Sequence, residues 1–307
     1  MLDEIQPDAV AINGWSVPEA RAAATWCRRN RRLAILMSET FESSAQWWKE
    51  QVKRRRVRRF DAALVGGRWH ADYLVSLGFP RNKIHVGYDA VDNAHFYAET
   101  SVRPSTHATE TSKLQLPARY FFANTRFLPR KNIDGLLHAY SQYRADVRKK
   151  DAVCEPWHLV ISGSGEMENA WKTLAMELGL SATVHWPGFL QYDELPFYYS
   201  NASAFVHVAH REAWGLVVNE AAAAGLPLIV GNRVGSTCEL VRDGINGILV
   251  DSTDTAQLSK ALLRIATLGD ERRRAMGRVS RRLADAYGPE RFGTACAKIL
   301  GDRVCTP

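Results

Sequence analysis

The chain has 307 residues, 46% of them hydrophobic, with 40 Lys and Arg against 33 Asp and Glu, a net charge of +7 and a sequence pI of about 9.2. It reads as a soluble globular protein, long for one ordinary domain and comfortable for two. No apolar run approaches the roughly 18–20 residues of a membrane span, and "MLDEIQPDAV" is acidic where a secretory signal is basic, so a cytoplasmic location is expected.

Four short runs open the chain as predicted strands: "PDAVAING", "RLAILMS", "DAALVGG" and "NKIHVG". Helical stretches separate them, among them "VPEARAAATWCRRN" and the segment from Trp47 to Phe60. Residues 1–97 are thereby assigned to a first, incomplete α/β unit. Residues 98–116 are polar and rich in Thr and Ser, the composition of a linker. From Pro117 onward, runs rich in β-branched and aromatic residues ("RYFFANT", "WHLVISGSG", "ATVHWPG", "SAFVHVA", "PLIVG", "NGILVD") alternate with helix-period segments. That is the pattern of a parallel, doubly wound sheet, and it assigns residues 117–285 to a second domain. Residues 286–307, around "YGPERFGTACAKIL", form a final helix.

Cys27, Cys154, Cys238, Cys296 and Cys305 are odd in number, scattered and never in a C-x-x-C pair, so neither a disulfide framework nor a zinc site is suggested. The run "WWKEQVKRRRVRRF" sets seven cations against one Glu behind Trp47 and Trp48. A solvated helix face, an anionic membrane surface and nucleic-acid phosphates all suit such a run.

The stretch "REAWGLVVNEAAAAGLP" holds Glu212 and Glu220 on either side of a helix that Gly215 opens and Gly225 and Pro227 close. The turn presents the backbone of Trp214, Gly215 and Leu216 at a helix N-terminus, which attracts anions. Ionised carboxylates only accept hydrogen bonds and so suit vicinal hydroxyls. A ligand with a sugar, a diphosphate and a ribose fits this layout. Taken alone, the pair has a simpler use, as a helix-dipole partner and a solvated helix residue.

Five ordered motifs decide between the two. Glu212 and Glu220 form an E-x7-E pattern running into "EAAAAGLPLIVG"; "ANTRFLPRKN" holds Arg126 and Lys131 in R-x-x-x-x-K-[GN]; "LVISGSGE" carries Gly163 and Gly165; "HWPGFLQYDELPFYY" carries Gly188, Phe189 and Leu190; and "GSTCELVRDGINGILVD" follows. Together they resemble the retaining glycosyltransferase family 4, whose fold is GT-B, two Rossmann-like doubly wound domains. The resemblance implies a metal-independent transferase that moves a hexose from a UDP- or GDP-linked sugar to a hydroxyl of a glycan or lipid-linked acceptor, with no cofactor and no nucleic-acid partner. It implies that Glu212 meets the donor sugar, that Glu220 meets the ribose, and that Arg126 and Lys131 neutralise the departing diphosphate. Gly163, Gly165, Phe189, Leu190, Trp214, Gly215 and Leu216 are implied donor-binding positions. The absence of a D-x-D triplet agrees with a site without a metal. Glu239 is a further match whose contact the resemblance does not assign.

The resemblance covers about two-thirds of the chain and departs near its start. The strand and glycine-rich loop that open the family's acceptor domain are not found before "PDAV". A histidine common after the second of these strands is replaced in "RLAILMSETF" by Ser38 and Glu39. Glu39 reads either as a catalytic contact in that crevice or as a helix-start carboxylate. His70 reads as structural. With the acceptor half reduced, a non-catalytic nucleotide-sugar-binding subunit is the alternative. A lipid-linked acceptor would place the Trp47–Phe60 helix at the inner membrane face.

Overall fold

The computed structural model describes residues 1–42, 46–97, 116–150 and 155–304, and the chain divides into two compact units, Met1–Val91 with Tyr287–Pro307, and Asp92–Ala286. The linker read over 98–116 lies, apart from Leu116, outside the described residues, as do Cys154 and Cys305. Among the described residues no helix is long and apolar enough to cross a membrane.

In the first unit a short helix α1 (Leu2–Ile5) leads to β1 (Ala9–Asn13), α2 (Pro18–Arg29), β2 (Leu33–Ser38), α3 (Trp47–Val57), β3 (Ala62–Val65), α4 (Arg68–Ser76) and β4 (Ile84–Val86). The four strands are parallel in the order β1-β2-β3-β4. Alternate strand residues point to opposite faces. Ala34, Leu36, Ala63 and Val65 pack with Ala24 of α2 and Leu74 of α4. Leu33, Ile35, Ala62 and Leu64 meet Ala295 and Ile299 of the last helix, α13 (Pro289–Val304). Both faces are covered, which is why these strands read as continuous apolar runs.

The second unit begins with α5 (Asn93–Tyr97) and runs through β5 (Tyr120–Asn124), α6 (Ile133–Lys150), β6 (His158–Ser162), α7 (Glu168–Glu177), β7 (Val184–Gly188), α8 (Leu195–Asn201) and β8 (Ala204–His207). It continues through α9 (Leu216–Ala223), β9 (Leu228–Gly231), α10 (Thr237–Leu240), β10 (Gly247–Val250), α11 (Thr255–Ala266) and α12 (Asp270–Asp285). The sheet is parallel, in the order β10-β9-β8-β5-β6-β7, so the winding reverses between β5 and β8. Such a switch point opens a crevice at the C-terminal ends of its strands. Phe121, Ala123, Leu159 and Val206 pack beneath α6, α7 and α11, while Phe122 and Phe205 pack against Tyr199 on the other face.

The sequence reading carries the first unit to residue 97, whereas α5 packs with the second. Phe96 is buried and meets Tyr192 and Tyr199 edge-on, and this aromatic contact draws the helix to α8 and α9.

Candidate functional site

The site is built at the β5/β8 switch of the second unit. After β5 the chain enters the loop that carries Arg126, which is exposed, then a 3-10 turn, Pro129–Lys131. Asn132 closes this turn at φ 56°, in the left-handed region that Asn and Gly tolerate best. Its side-chain amide donates to Val208 O at 3.1 Å and Ser252 O at 2.6 Å, and the His210 N–H donates to Arg130 O at 2.9 Å. Backbone atoms beyond the ends of β8 and β10 thus hold the Arg130–Lys131 turn in place.

That anchoring aims Lys131 at Glu212. The Lys131 ammonium, almost buried, forms an ion pair with Glu212 Oε2, and Arg130 Nη1 lies 3.1 Å from Oε1. Burial pushes the Glu212 carboxyl up, but Lys131 first and then Arg130 outweigh it, so the carboxyl titrates below its ordinary value. Burial pushes the Lys131 ammonium down, and Arg130 and Arg126 add to this against the pull of Glu212. His207, at the end of β8, is 4% exposed, and its Nε2 has no hydrogen-bond partner, lying 3.9 Å from Glu212 Oε2. Burial lowers its pKa to about 3, helped by Lys131, so the ring is neutral.

Glu212 is fixed through its backbone. Its N–H donates to Arg233 O at 3.2 Å and its carbonyl accepts from Gly235 N at 3.0 Å. Gly215 caps α9 at φ 94°, with space for a Cβ closed by Val234 Cγ1 at 3.1 Å. Leu216 stands at the first helical position, 43% exposed. Trp214 is buried and its indole N–H donates to Asn219 Oδ1 at 2.8 Å, so the site receives backbone from this residue and its ring supports the turn. Gly225 and Leu226 donate to Ala222 O and Ala221 O, the Schellman closure of α9.

One turn into α9, Glu220 meets Tyr199, whose hydroxyl donates to Glu220 Oε2 at 2.7 Å. Burial pushes the Glu220 carboxyl up, while Tyr199, Asn124 and His95 hold it back. The Gly163 and Gly165 turn sits beside the β5 loop: a Cβ on Gly163 would lie 1.8 Å from Thr125 O, and one on Gly165 would lie 2.6 Å from Phe127 O. Phe189 is 64% exposed beyond β7, whereas Leu190 is buried and packs. Glu239 is half-buried on α10, beside the Cys238 thiol.

Sequence reasoning passed over Arg130, Asn124, Tyr199 and the supporting Asn132. Arg130 was visible as a second cation in "PRKN"; Tyr199 carries no local signal, because it reaches Glu220 only across the fold. Among the described residues no group of three or more His, Cys, Asp or Glu is arranged to hold a metal.

Glu39 belongs to the first unit, just beyond β2. It hydrogen-bonds Asp89, which follows β4 and is almost buried. Burial first, then the Glu39 charge, raises the Asp89 pKa to about 8, so the two carboxyls share one proton near neutrality. The same pair raises the neighbouring Tyr88 hydroxyl, which burial already pushes up. Asp89 stands in "GYDAVD", a signal the sequence reading did not use. His70 is fully buried, and its Nδ1 accepts from Gly67 N at 3.1 Å as a helix cap.

Residues 109–283 match the family described as "Glycosyl transferases group 1". The chain is 31% identical over 307 aligned residues to D-inositol 3-phosphate glycosyltransferase of Salinispora arenicola, covering 96% of this chain and 66% of that relative. It thus spans about two-thirds of that relative's length. Its fold resembles a glycosyltransferase from Rickettsia africae (TM-score 0.81, 13% identity, 100% of this chain and 79% of that one). Anabaena HepE in complex with UDP is similarly related (TM-score 0.78, 16% identity, 97% and 79%). The fold class is α/β of the GT-B type, as the sequence resemblance implies. By the match over more than half of its length, the chain belongs to the glycosyl transferases group 1 family.

Proposed function

We propose that the chain is a retaining, metal-independent glycosyltransferase that moves a hexose from a UDP- or GDP-linked sugar to a hydroxyl of a glycan or lipid-linked acceptor in glycan biosynthesis. The observation that carries this reading is the convergence of Lys131 and Arg130 on Glu212 at the sheet's switch point, with Glu220 one turn further into α9. A donor diphosphate entering here brings negative charge to cations already gathered and oriented. Lys131, Arg130 and Arg126 then stabilise the charge that grows on the diphosphate as its bond to the sugar carbon breaks. The α9 N-terminus at Gly215 and Leu216 adds its partial positive charge. The acceptor oxygen bonds the same sugar carbon on the face the diphosphate leaves, and its proton passes to the departing diphosphate. Glu212 accepts from the sugar hydroxyls and Glu220 from the ribose hydroxyls.

The name of the Salinispora relative adds a phosphorylated inositol to the acceptors worth testing. Peripheral contact with an anionic membrane is part of the same proposal: Trp47 and Trp48 are 75% and 53% exposed on α3, beside exposed Arg54 and Arg55. Co-sedimentation with anionic vesicles that persists after charge reversal of Arg54 to Arg56 removes this electrostatic part.

Calorimetric titration with UDP and GDP, beside the Glu220→Ala variant, tests the donor site. Saturable binding of one nucleotide, lost in the variant, is expected; unchanged affinity in Glu220→Ala removes Glu220 from the site. Donor binding without transfer to any acceptor points instead to a non-catalytic nucleotide-sugar-binding subunit.

A further inference from the structure

Two arginine runs that the donor site leaves unused, "CRRNRRL" at 27–33 and "VRRFD" at 57–61, meet in space within the first unit. Each is a helix-to-strand turn: α2 ends at Arg29 and feeds β2 at Leu33, and α3 ends at Val57 and feeds β3 at Ala62. Because β2 and β3 are parallel neighbours, their entry turns lie side by side at the N-terminal edge of the sheet. That edge is opposite the one bearing Glu39 and Asp89. The turns enclose a cleft of about 800 Å³ lined by six cations, Arg28, Arg31, Arg32, Arg58, Arg59 and Lys83.

Asp61 is the one carboxylate of the lining, and its Oδ2 accepts the Ala34 N–H at 2.9 Å. Arg32 is paired with Asp8. The C-terminal ends of α2 and α3 carry about half a negative charge each, enough to account for one cation apiece. Arg28, Arg58, Arg59 and Lys83 bring further like charges together on this concave surface. Arg31 adds a second sign: it is the residue past the C-cap of α2, at φ 54°, where the Arg32 N–H donates to Cys27 O at 2.8 Å. Glycine fills that left-handed position without steric cost, yet an arginine facing the cleft stands there.

We propose that this cleft is a second ligand site, for a small anion carrying two or more phosphate groups. Its volume lies within the roughly 300–1,000 Å³ of small-molecule sites. Guanidinium forks pair with phosphate oxygens two at a time, which suits five arginines around one cavity. A membrane presents a plane of headgroups and fits a convex face; a concave cleft fits a compact anion. Bound there, the anion ties the α2–β2 and α3–β3 turns together and stabilises the first unit by mass action.

The test is calorimetric titration of the full chain with inorganic tripolyphosphate, in the presence of saturating UDP, for wild type, Arg58→Gln/Arg59→Gln and Lys131→Ala. Arg58 and Arg59 are exposed, so the double variant is expected to fold; far-UV circular dichroism checks this, and Arg28→Gln/Lys83→Gln serves as a second variant. Saturable binding, weakened about tenfold or more by the double substitution and unchanged in Lys131→Ala, is expected. A tripolyphosphate-dependent rise in Tm, absent from the double variant, supports the same site. No binding, wild-type affinity in both cleft variants, or loss only in Lys131→Ala overturns it. Binding to phosphatidylserine vesicles through Arg58 and Arg59 without any tripolyphosphate binding also overturns it, in favour of a membrane surface. The donor reading is tested separately, by UDP and GDP.

Discussion

The hydroxyl of Tyr199, a fully buried ring, donates to Glu220 Oε2 at 2.7 Å across 21 residues of sequence. The bond orients a carboxylate whose own surroundings resist its charge. Hydrogen bonds to charged groups contribute about 1.5–3 kcal/mol. Tyr199→Phe keeps the ring packed on Phe122 and Phe96 but leaves Glu220 to Asn124. Nucleotide affinity measured by calorimetry is expected to fall about tenfold; unchanged affinity removes Tyr199 from this role.

Lys131 and Glu212 are an ion pair taken largely out of water, with side chains 9% and 13% exposed. Removing one member of a buried pair costs about 3–5 kcal/mol, because the other charge is left behind. Arg130 remains to compensate, so Lys131→Ala is expected to lose about 3 kcal/mol by denaturant unfolding at pH 7. The folded pKa of Glu212 is depressed, so its contribution is present above its unfolded pKa and is lost as pH falls through the lower folded value. The deficit of the variant therefore shrinks under acid conditions. A deficit independent of pH would separate Lys131 from Glu212.

His207 stays neutral far into acid, with a pKa near 3. An unfolded chain takes up that proton near pH 6.5, so His207 costs stability progressively as pH falls from about 6.5 toward 3. Histidine resonances followed by NMR should show no titration of His207 between pH 5 and 8. A midpoint in that window would mean the ring is hydrated.

Asp89 works in the opposite sense. Its folded pKa, near 8, lies above the unfolded value of 3.8, so the stability it contributes is full below pH 3.8 and is lost as pH rises to about 8. Asp89→Asn removes the titrating group that shares its proton with Glu39 and faces Tyr88. The variant is expected to gain Tm relative to wild type between pH 5 and 8. A pH-independent difference would show that the two carboxyls do not share a proton.

Gly163→Ala pushes a methyl group to within 1.8 Å of Thr125 O, so the backbone must move; the expected loss is about 2 kcal/mol, together with nucleotide binding. Gly179→Ala is the comparison, since its φ of 69° is also positive but nothing lies within 4 Å of the added Cβ. Equal losses in the two variants would place the whole cost in backbone strain.

The strands were legible because both faces of each sheet are covered, which leaves apolar runs such as "AALV" and "LIVG" unbroken by polar residues. Helix punctuation at Gly215 and Gly225 was legible for the same local reason: both positions require positive φ. The partners of the site were not. Lys131 and Glu212 are 81 residues apart and Asn124 and Tyr199 are 75 apart, and only the strand order brings them together. Helix α5 was placed with the wrong sheet because Phe96 declares its burial but not its neighbours. Trp214 carried a signal of importance but not of direction, since its ring turns inward to Asn219.

Asn132 holds the Lys131 turn through the carbonyls of Val208 and Ser252, groups that every amino acid possesses. The side chains at those two positions take no part in these two bonds. The charged end of the crevice rests on a scaffold blind to sequence, while Phe189 and Leu216, exposed around it, are open to exchange. Such a division leaves the exposed lining of the crevice open to change while the placement of its cations stays constant.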